Sequence, residues 1–150
     1  LSSSELVQYY VLLKNRHPAL ESIEDAFDEQ DYEGWKMINK KLGNDMMIVG
    51  DDLFTTNPKF IKTGIKEKWA NSLLLKVNQI GTITEAVEAA KLMQDQKCQV
   101  IVSHRSGETN NTLISDLAVA IHAKYIKLGA PARGERVAKY NRLIQIEENI

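Results

Sequence analysis

Five short apolar runs punctuate the chain, and each stops at a polar or ionisable side chain. Ala19 to Ile23 runs into Glu24-Asp25, and Met46 to Val49 into Gly50-Asp51-Asp52. Ser72 to Leu75 runs into Lys76, Gln99 to Val102 into Ser103-His104, and Tyr125-Ile126 into Lys127. These runs show little polar alternation, so both faces of each strand are expected to be buried, as in a parallel sheet. Helical periodicity fills the spaces between them. Ser2 and Glu5 have capping-box spacing ahead of Leu6, Tyr10 and Leu13 on one face. His17-Pro18 ends that helix, because a residue before proline avoids the helical region. Trp35, Ile38 and Leu42 mark a second helix with Gly43 as its C-cap, and Asn57-Pro58 caps and opens a third. Thr82 and Glu85 cap a helix reaching to about Gln94. Another covers Thr112 to about Ala123, and a last one follows Gly129-Ala130-Pro131 with Val137, Tyr140 and Ile144 facing inward.

The rhythm is one helix followed by five strand–helix units. Strand ends at positions 24, 51, 76, 103 and 127 are 24 to 27 residues apart. This is an α/β unit without an internal linker. Two architectures fit: a closed five-strand doubly wound domain, or the C-terminal portion, about five βα units, of an eight-strand (β/α) barrel. Both gather their ligands at the carboxyl ends of the strands, so the strand-end residues do not choose between them.

Composition narrows the partners. With 150 residues, 43% hydrophobic and 26% charged, the chain is long enough for one core. A net charge of −1 gives no overall attraction to DNA or to an anionic membrane, and no apolar run is long enough to span a bilayer. Cys98 is the only cysteine, so no internal disulfide forms; together with the lack of a signal-like segment this suggests a cytoplasmic protein. The chain opens at Leu1 without a methionine and enters a helix at once, as a piece of something longer would.

The strand-end residues carry chemistry. Glu24 and Asp51 end consecutive strands, and two carboxylates with no Cys/His set beside them suit a hard cation such as Mg2+; the alternative is that both cap local backbone amides. Lys76 follows Leu73-Leu74-Leu75, where desolvation favours the neutral amine of a general base, unless a neighbouring acid pairs with it. Asn78 and Gln79 put amides just above that strand. His104, Arg105 and Ser106 leave one strand end together, ahead of Gly107, and suit a phosphate or carboxylate. Lys127 offers a second anion contact. His17 and His122 lie in or beside helices and have no expected role. The set fits proton abstraction next to a carboxylate with metal stabilisation; phosphoryl transfer in a receiver-like domain uses similar groups.

At these residues the sequence resembles the enolase family, the phosphopyruvate hydratases. The resemblance is carried by Ser22-Ile-Glu-Asp25, Gly50-Asp-Asp-Leu53 with Thr56-Asn-Pro58, and Leu73-Leu-Leu-Lys-Val-Asn-Gln-Ile-Gly81. Ser103-His-Arg-Ser-Gly-Glu-Thr109, Ile126-Lys-Leu-Gly-Ala-Pro131, Glu135-Arg136 and Ala138-Lys-Tyr-Asn141 continue it in the family's order. It covers essentially the whole chain and implies the C-terminal part of a (β/α) barrel, with the family's N-terminal domain and first barrel strands not included. By motif, Glu24 and Asp51 are similar to two of three Mg2+ carboxylates, and Lys76 to the base that takes the C2 proton of 2-phosphoglycerate. Arg105 and Ser106 match phosphate contacts, His104 a substrate-side histidine, and Lys127 the lysine that holds the substrate carboxylate.

Two departures from the family pattern stand out: Ala26 where proline is usual, and Leu128 where threonine is common. The resemblance implies a lyase, with a homo-oligomer for the full-length parent. It also places the third metal carboxylate and the general acid outside these residues, so little or no turnover is expected from them alone. A non-catalytic enolase-like fragment or binding protein is the alternative.

Overall fold

The computed structural model describes residues 1–150 and orders the elements as the rhythm predicts. They are α1 (Ser3–Arg16), β1 (Ser22–Glu24), α2 (Tyr32–Leu42), β2 (Met47–Gly50), α3 (Pro58–Glu67) and β3 (Ser72–Leu75). A single turn α4 (Val77–Ile80), then α5 (Ile83–Asp95), β4 (Gln99–Ser103), α6 (Leu113–Ala120), β5 (Tyr125–Lys127) and α7 (Gly134–Glu147) complete it.

The caps explain where the helices start. Ser2 and Glu5 bond reciprocally in a full capping box. Asn57 accepts the Lys59 N–H with Pro58 in the first turn, where a missing N–H costs nothing. Thr82 accepts the Glu85 N–H, but the Glu85 carboxylate takes the Thr82 hydroxyl rather than the cap's backbone. The first strand begins later than expected, at Ser22, because the Leu20 N–H bonds back to His17 and holds the preceding residues in a turn.

All five strands are parallel and lie in chain order, β1-β2-β3-β4-β5. A doubly wound sheet reverses its order at a switch point; this one does not. Right-handed crossovers in an unreversed order place every connecting helix on one face. On that face Ile48, Leu73, Leu75, Val100 and Val102 pack with Trp35, Ile38, Ile61, Ala89, Met93 and Leu117 in one core.

The opposite face, by alternation, carries Glu24, Val49, Ser72, Leu74, Ile101, Ser103 and Lys127, and continues past the strand ends to Asp51 and Lys76. Lys127 nonetheless bonds directly to Glu24, joining the last strand to the first. In a flat sheet those strands would stand roughly 19 Å apart, more than two side chains span. The sheet is therefore curled, and the fold is part of a barrel wall. Val49 and Leu74 are enclosed within its concave side, although no helix covers them.

The last helix corrects the periodicity. Val137 and Tyr140 are half-buried, but Ile144 is 52% exposed, and the one fully buried residue of α7 is Lys139. A charged residue scores as outward in any hydrophobic pattern. This one turns inward because polar acceptors from a loop 30 residues earlier meet its amine.

Candidate active site

The site is built on the loops at the carboxyl ends of the strands. Gly50 closes β2 because a Cβ there would meet the Phe54 ring at 2.8 Å, and Phe54 is fully buried. The loop that follows holds Thr55 and Thr56 in left-handed backbone, at φ 47° and 56°. Such strain costs on the order of 1–3 kcal/mol per residue and persists only where surroundings fix it. Here the buried Thr56 hydroxyl accepts the Lys76 N–H at 2.9 Å and donates to Gln79 Oε1 at 2.8 Å. The β2 loop thus sets the start of the β3 loop.

Asp25, also left-handed at φ 45°, does the same between β1 and β2. Its two carboxylate oxygens accept the backbone N–H groups of Asp51 at 2.8 Å and Asp52 at 3.1 Å. Burial raises its carboxyl above the usual range, and the two amides only partly offset that. Carboxylate oxygens of Asp25, Asp51 and Asp52 lie within 4.8 Å of one another. Asp25 was not singled out from sequence. An acid doublet at a strand end, Glu24-Asp25, was the available signal.

Asp51 is buried, and its carboxylate takes the Lys76 ammonium on one oxygen and the Gln79 amide, at 3.2 Å, on the other. Lys76 leaves β3 as the pattern predicts, only 14% exposed at its side chain, and pairs with the neighbouring acid. Glu24 takes the Lys127 ammonium at 2.8 Å on both oxygens. The structure therefore joins the two candidate metal carboxylates to the two candidate lysines as crossed pairs. Glu24 and Asp51 are oxygen donors bonded to neither sulfur nor imidazole, the donor type a hard divalent cation takes. The three carboxylates that lie close enough together to share one ion are Asp25, Asp51 and Asp52, and Glu24 is not among them.

The β4 loop is held differently. The His104 N–H bonds to the Lys127 carbonyl at 3.0 Å, which ties this loop to β5. The His104 Nδ1 is buried with no partner. Burial first, then Arg136, hold the imidazole below its ordinary value against the opposing pull of Glu108. Arg105 gives its backbone N–H to Glu108 at 2.9 Å and its guanidinium to Asn78 Oδ1 at 3.0 Å. Arg105, Ser106 and Gly107 are exposed. Asn78 and Gln79 stand above β3 as expected, on the single turn α4, which is too short to announce itself by periodicity.

A separate depression of about 560 Å3 opens at the amino ends of the strands, lined by Glu21, Met46, Asn71 and Gln99 among others. That end of a barrel supports stability rather than chemistry. No helix is long and apolar enough to cross a membrane.

The family model "Enolase, C-terminal TIM barrel domain" matches residues 1–150. The chain belongs to the enolase family. It is 55% identical over all 150 residues to the enolase of Rubrobacter xylanophilus, and 56% identical over the same length to that of Methanocaldococcus jannaschii. It covers 35% of each of these proteins, so it spans about a third of the length of the curated relatives it matches. The curled sheet is thus the enolase C-terminal barrel portion, and the strand-end residues occupy the carboxyl-terminal mouth where such barrels carry their chemistry.

Proposed function

We propose that these residues form the substrate-facing part of an enolase site, serving the Mg2+-dependent, reversible dehydration of 2-phosphoglycerate to phosphoenolpyruvate. Convergence carries the reading. Glu24, Asp51, Lys76 and Lys127 come from four strand ends on one face of the sheet and form two lysine–carboxylate pairs. The loop with Arg105 and Ser106 is tied to that end by the His104 N–H on the Lys127 carbonyl and by Arg105 on Asn78.

Lys76 is the base. Its amine must leave Asp51 to reach the substrate C2–H, and the neutral amine is the form that takes the proton. Lys127 and Arg105 supply positive charge for the carboxylate and phosphate ends, Ser106 a hydroxyl donor, and His104 the imidazole beside them. Mg2+ bound at Glu24 and Asp51 would stabilise negative charge developing on the substrate carboxylate. A lysine base beside Mg2+ is the scheme general to the enolase superfamily, not one read from these distances. The family pattern places the acid for the leaving hydroxyl outside residues 1–150, so we expect little or no turnover from these residues alone. The same reading implies a cytoplasmic location and a homo-oligomer, the second of which light scattering on the full-length protein would test.

The deciding experiment is phosphoenolpyruvate formation from 2-phosphoglycerate with Mg2+, with an EDTA control, by the 150-residue chain and by the full-length protein. The expected result is turnover from the full-length protein only. Metal-dependent turnover by the short chain would mean that a second copy or an unassigned residue supplies the acid. Silence in both would replace the enzyme reading with a binding protein.

A further inference from the structure

Lys139 is the only lysine or arginine fully enclosed by the fold. An ammonium buried without partners is too costly to keep, but this one is saturated. Its three N–H donors have three acceptors: the Thr109 carbonyl at 2.7 Å, the Glu135 carbonyl at 2.7 Å and Glu108 Oε2 at 3.0 Å. With all three donors engaged, the amine has none free to offer a ligand. Its effect lies in where it holds its partners.

The other oxygen of Glu108 accepts the Arg105 N–H. Glu108 therefore closes the turn of residues 105 to 108 from its inner side, leaving Ser106 and Gly107 exposed at the tip. The Arg105 N–H and Lys139 outweigh the effect of burial, which alone would raise the Glu108 carboxyl, and hold it below the usual carboxylate range. The Thr109 carbonyl pins the exit of the same turn to the same amine. One residue further along α7, the Tyr140 hydroxyl donates to the Gly129 carbonyl, two residues past Lys127. Gly129 has φ 74°, and a Cβ there would meet His104 Cε1 at 2.9 Å. Two adjacent residues of one outer helix thus fasten the loops after β4 and β5.

We propose that Lys139, acting through Glu108, is a positioning residue that fixes the 105–108 turn in the shape that presents Arg105 and Ser106 to a phosphate group. The inference rests on the enolase reading for its ligand class. Because Glu108 balances the Lys139 charge and Glu24 takes up Lys127, the positive charges left without an acid partner around the turn are those of Arg105 and of Arg136 beside His104.

The test uses the full-length protein with Glu108→Ala, Lys139→Met and the double variant. Calorimetry gives the Kd for inorganic phosphate, and kinetics give KM and kcat for 2-phosphoglycerate. Both single variants are expected to raise the phosphate Kd and KM together by about tenfold, with kcat within about threefold of wild type. The double variant should be no worse than the worse single one, because both act through one turn. Unchanged Kd and KM in a folded Glu108→Ala protein would overturn the inference, as would effects of the two variants that simply multiply. If Lys139→Met does not fold, Glu108→Ala still decides, since its side chain is partly exposed and its loss leaves Lys139 two acceptors. Phosphate binding without turnover in wild type would sink the enolase reading and leave this test standing; no phosphate binding at all would overturn this inference.

Discussion

The loops after β1, β2 and β3 differ from those after β4 and β5. In the first group the side chains are bonded to one another, except Glu24, whose partner Lys127 belongs to the second. Asp25 holds the Asp51 and Asp52 amides, Asp51 holds Lys76 and Gln79, and Thr56 joins Gln79 to the Lys76 backbone. Three non-glycine residues there, Asp25, Thr55 and Thr56, sit in left-handed backbone. In the second group Arg105 and Ser106 stand exposed, and the bracing is applied behind them by Glu108 and Lys139. The first half is fixed largely by contacts among its own side chains. The second is a braced turn that exposes Ser106 and reaches back to the first through Arg105 on Asn78 and Lys127 on Glu24. Binding energy is used best when the reacting groups are fixed beforehand, so the proposed function assigns the reaction centre to the first half and recognition of the anionic groups to the second.

Substitutions can sharpen that contrast. Lys76→Ala in the full-length protein should slow C2–hydrogen exchange of 2-phosphoglycerate in D2O by about 10²–10⁴-fold, followed by NMR. Exchange at the wild-type rate would remove Lys76 as the base. Arg105→Gln should instead act mainly on KM, raising it by about ten- to a hundredfold, the worth of a hydrogen bond to a charged group. If kcat fell and KM held, the two halves would not divide the work as described. Thr56→Val tests the bonded half without touching a charge. It strands the Lys76 N–H and the Gln79 amide oxygen, and should cost about 1–3 kcal/mol in a denaturant melt. A neutral result would mean that the left-handed loop keeps its shape by other means.

The smallest effect is expected away from the mouth. Arg142 grips Asp116 at 2.6 and 2.9 Å, and this hydrogen-bonded partner holds the Asp116 carboxyl below its ordinary range. Both side chains are more than a third exposed, so Asp116→Asn should cost no more than about 1 kcal/mol, less in salt. A depressed acid stabilises the fold above its unfolded value and loses that contribution as pH falls through the folded value. The variant and wild type should therefore converge in acid melts, and a gap that widened toward low pH would contradict the pairing.

Much of the scaffold was legible because its signals are local. Ser2 with Glu5, Asn57-Pro58 and the run Ser72–Leu75 each act within a few residues, and each appears where expected. The five strand-end residues were legible for the same reason: an apolar run that stops at a charge marks the mouth of a parallel sheet. Strand order was not legible in the apolar pattern, since the choice between an open sheet and a barrel wall lies in pairings between distant segments; the motif resemblance, not the periodicity, implied the barrel. Nor was the inward turn of Lys139, whose acceptors Glu108 and Thr109 come from another unit. Asp25 was hidden because its task is bonding backbone amides 26 and 27 residues ahead, which no spacing rule reports.

The bond between Lys127 and Glu24 has a consequence in time. Its partners are 103 residues apart, whereas every strand pairs only with its neighbour in the chain. At roughly 5–20 residues per second on a ribosome, Glu24 emerges some 5–20 s before the lysine that will meet it. The wall and the contacts between neighbouring loops can grow unit by unit as the chain is made, but the bond that joins the first strand to the fifth waits for Lys127.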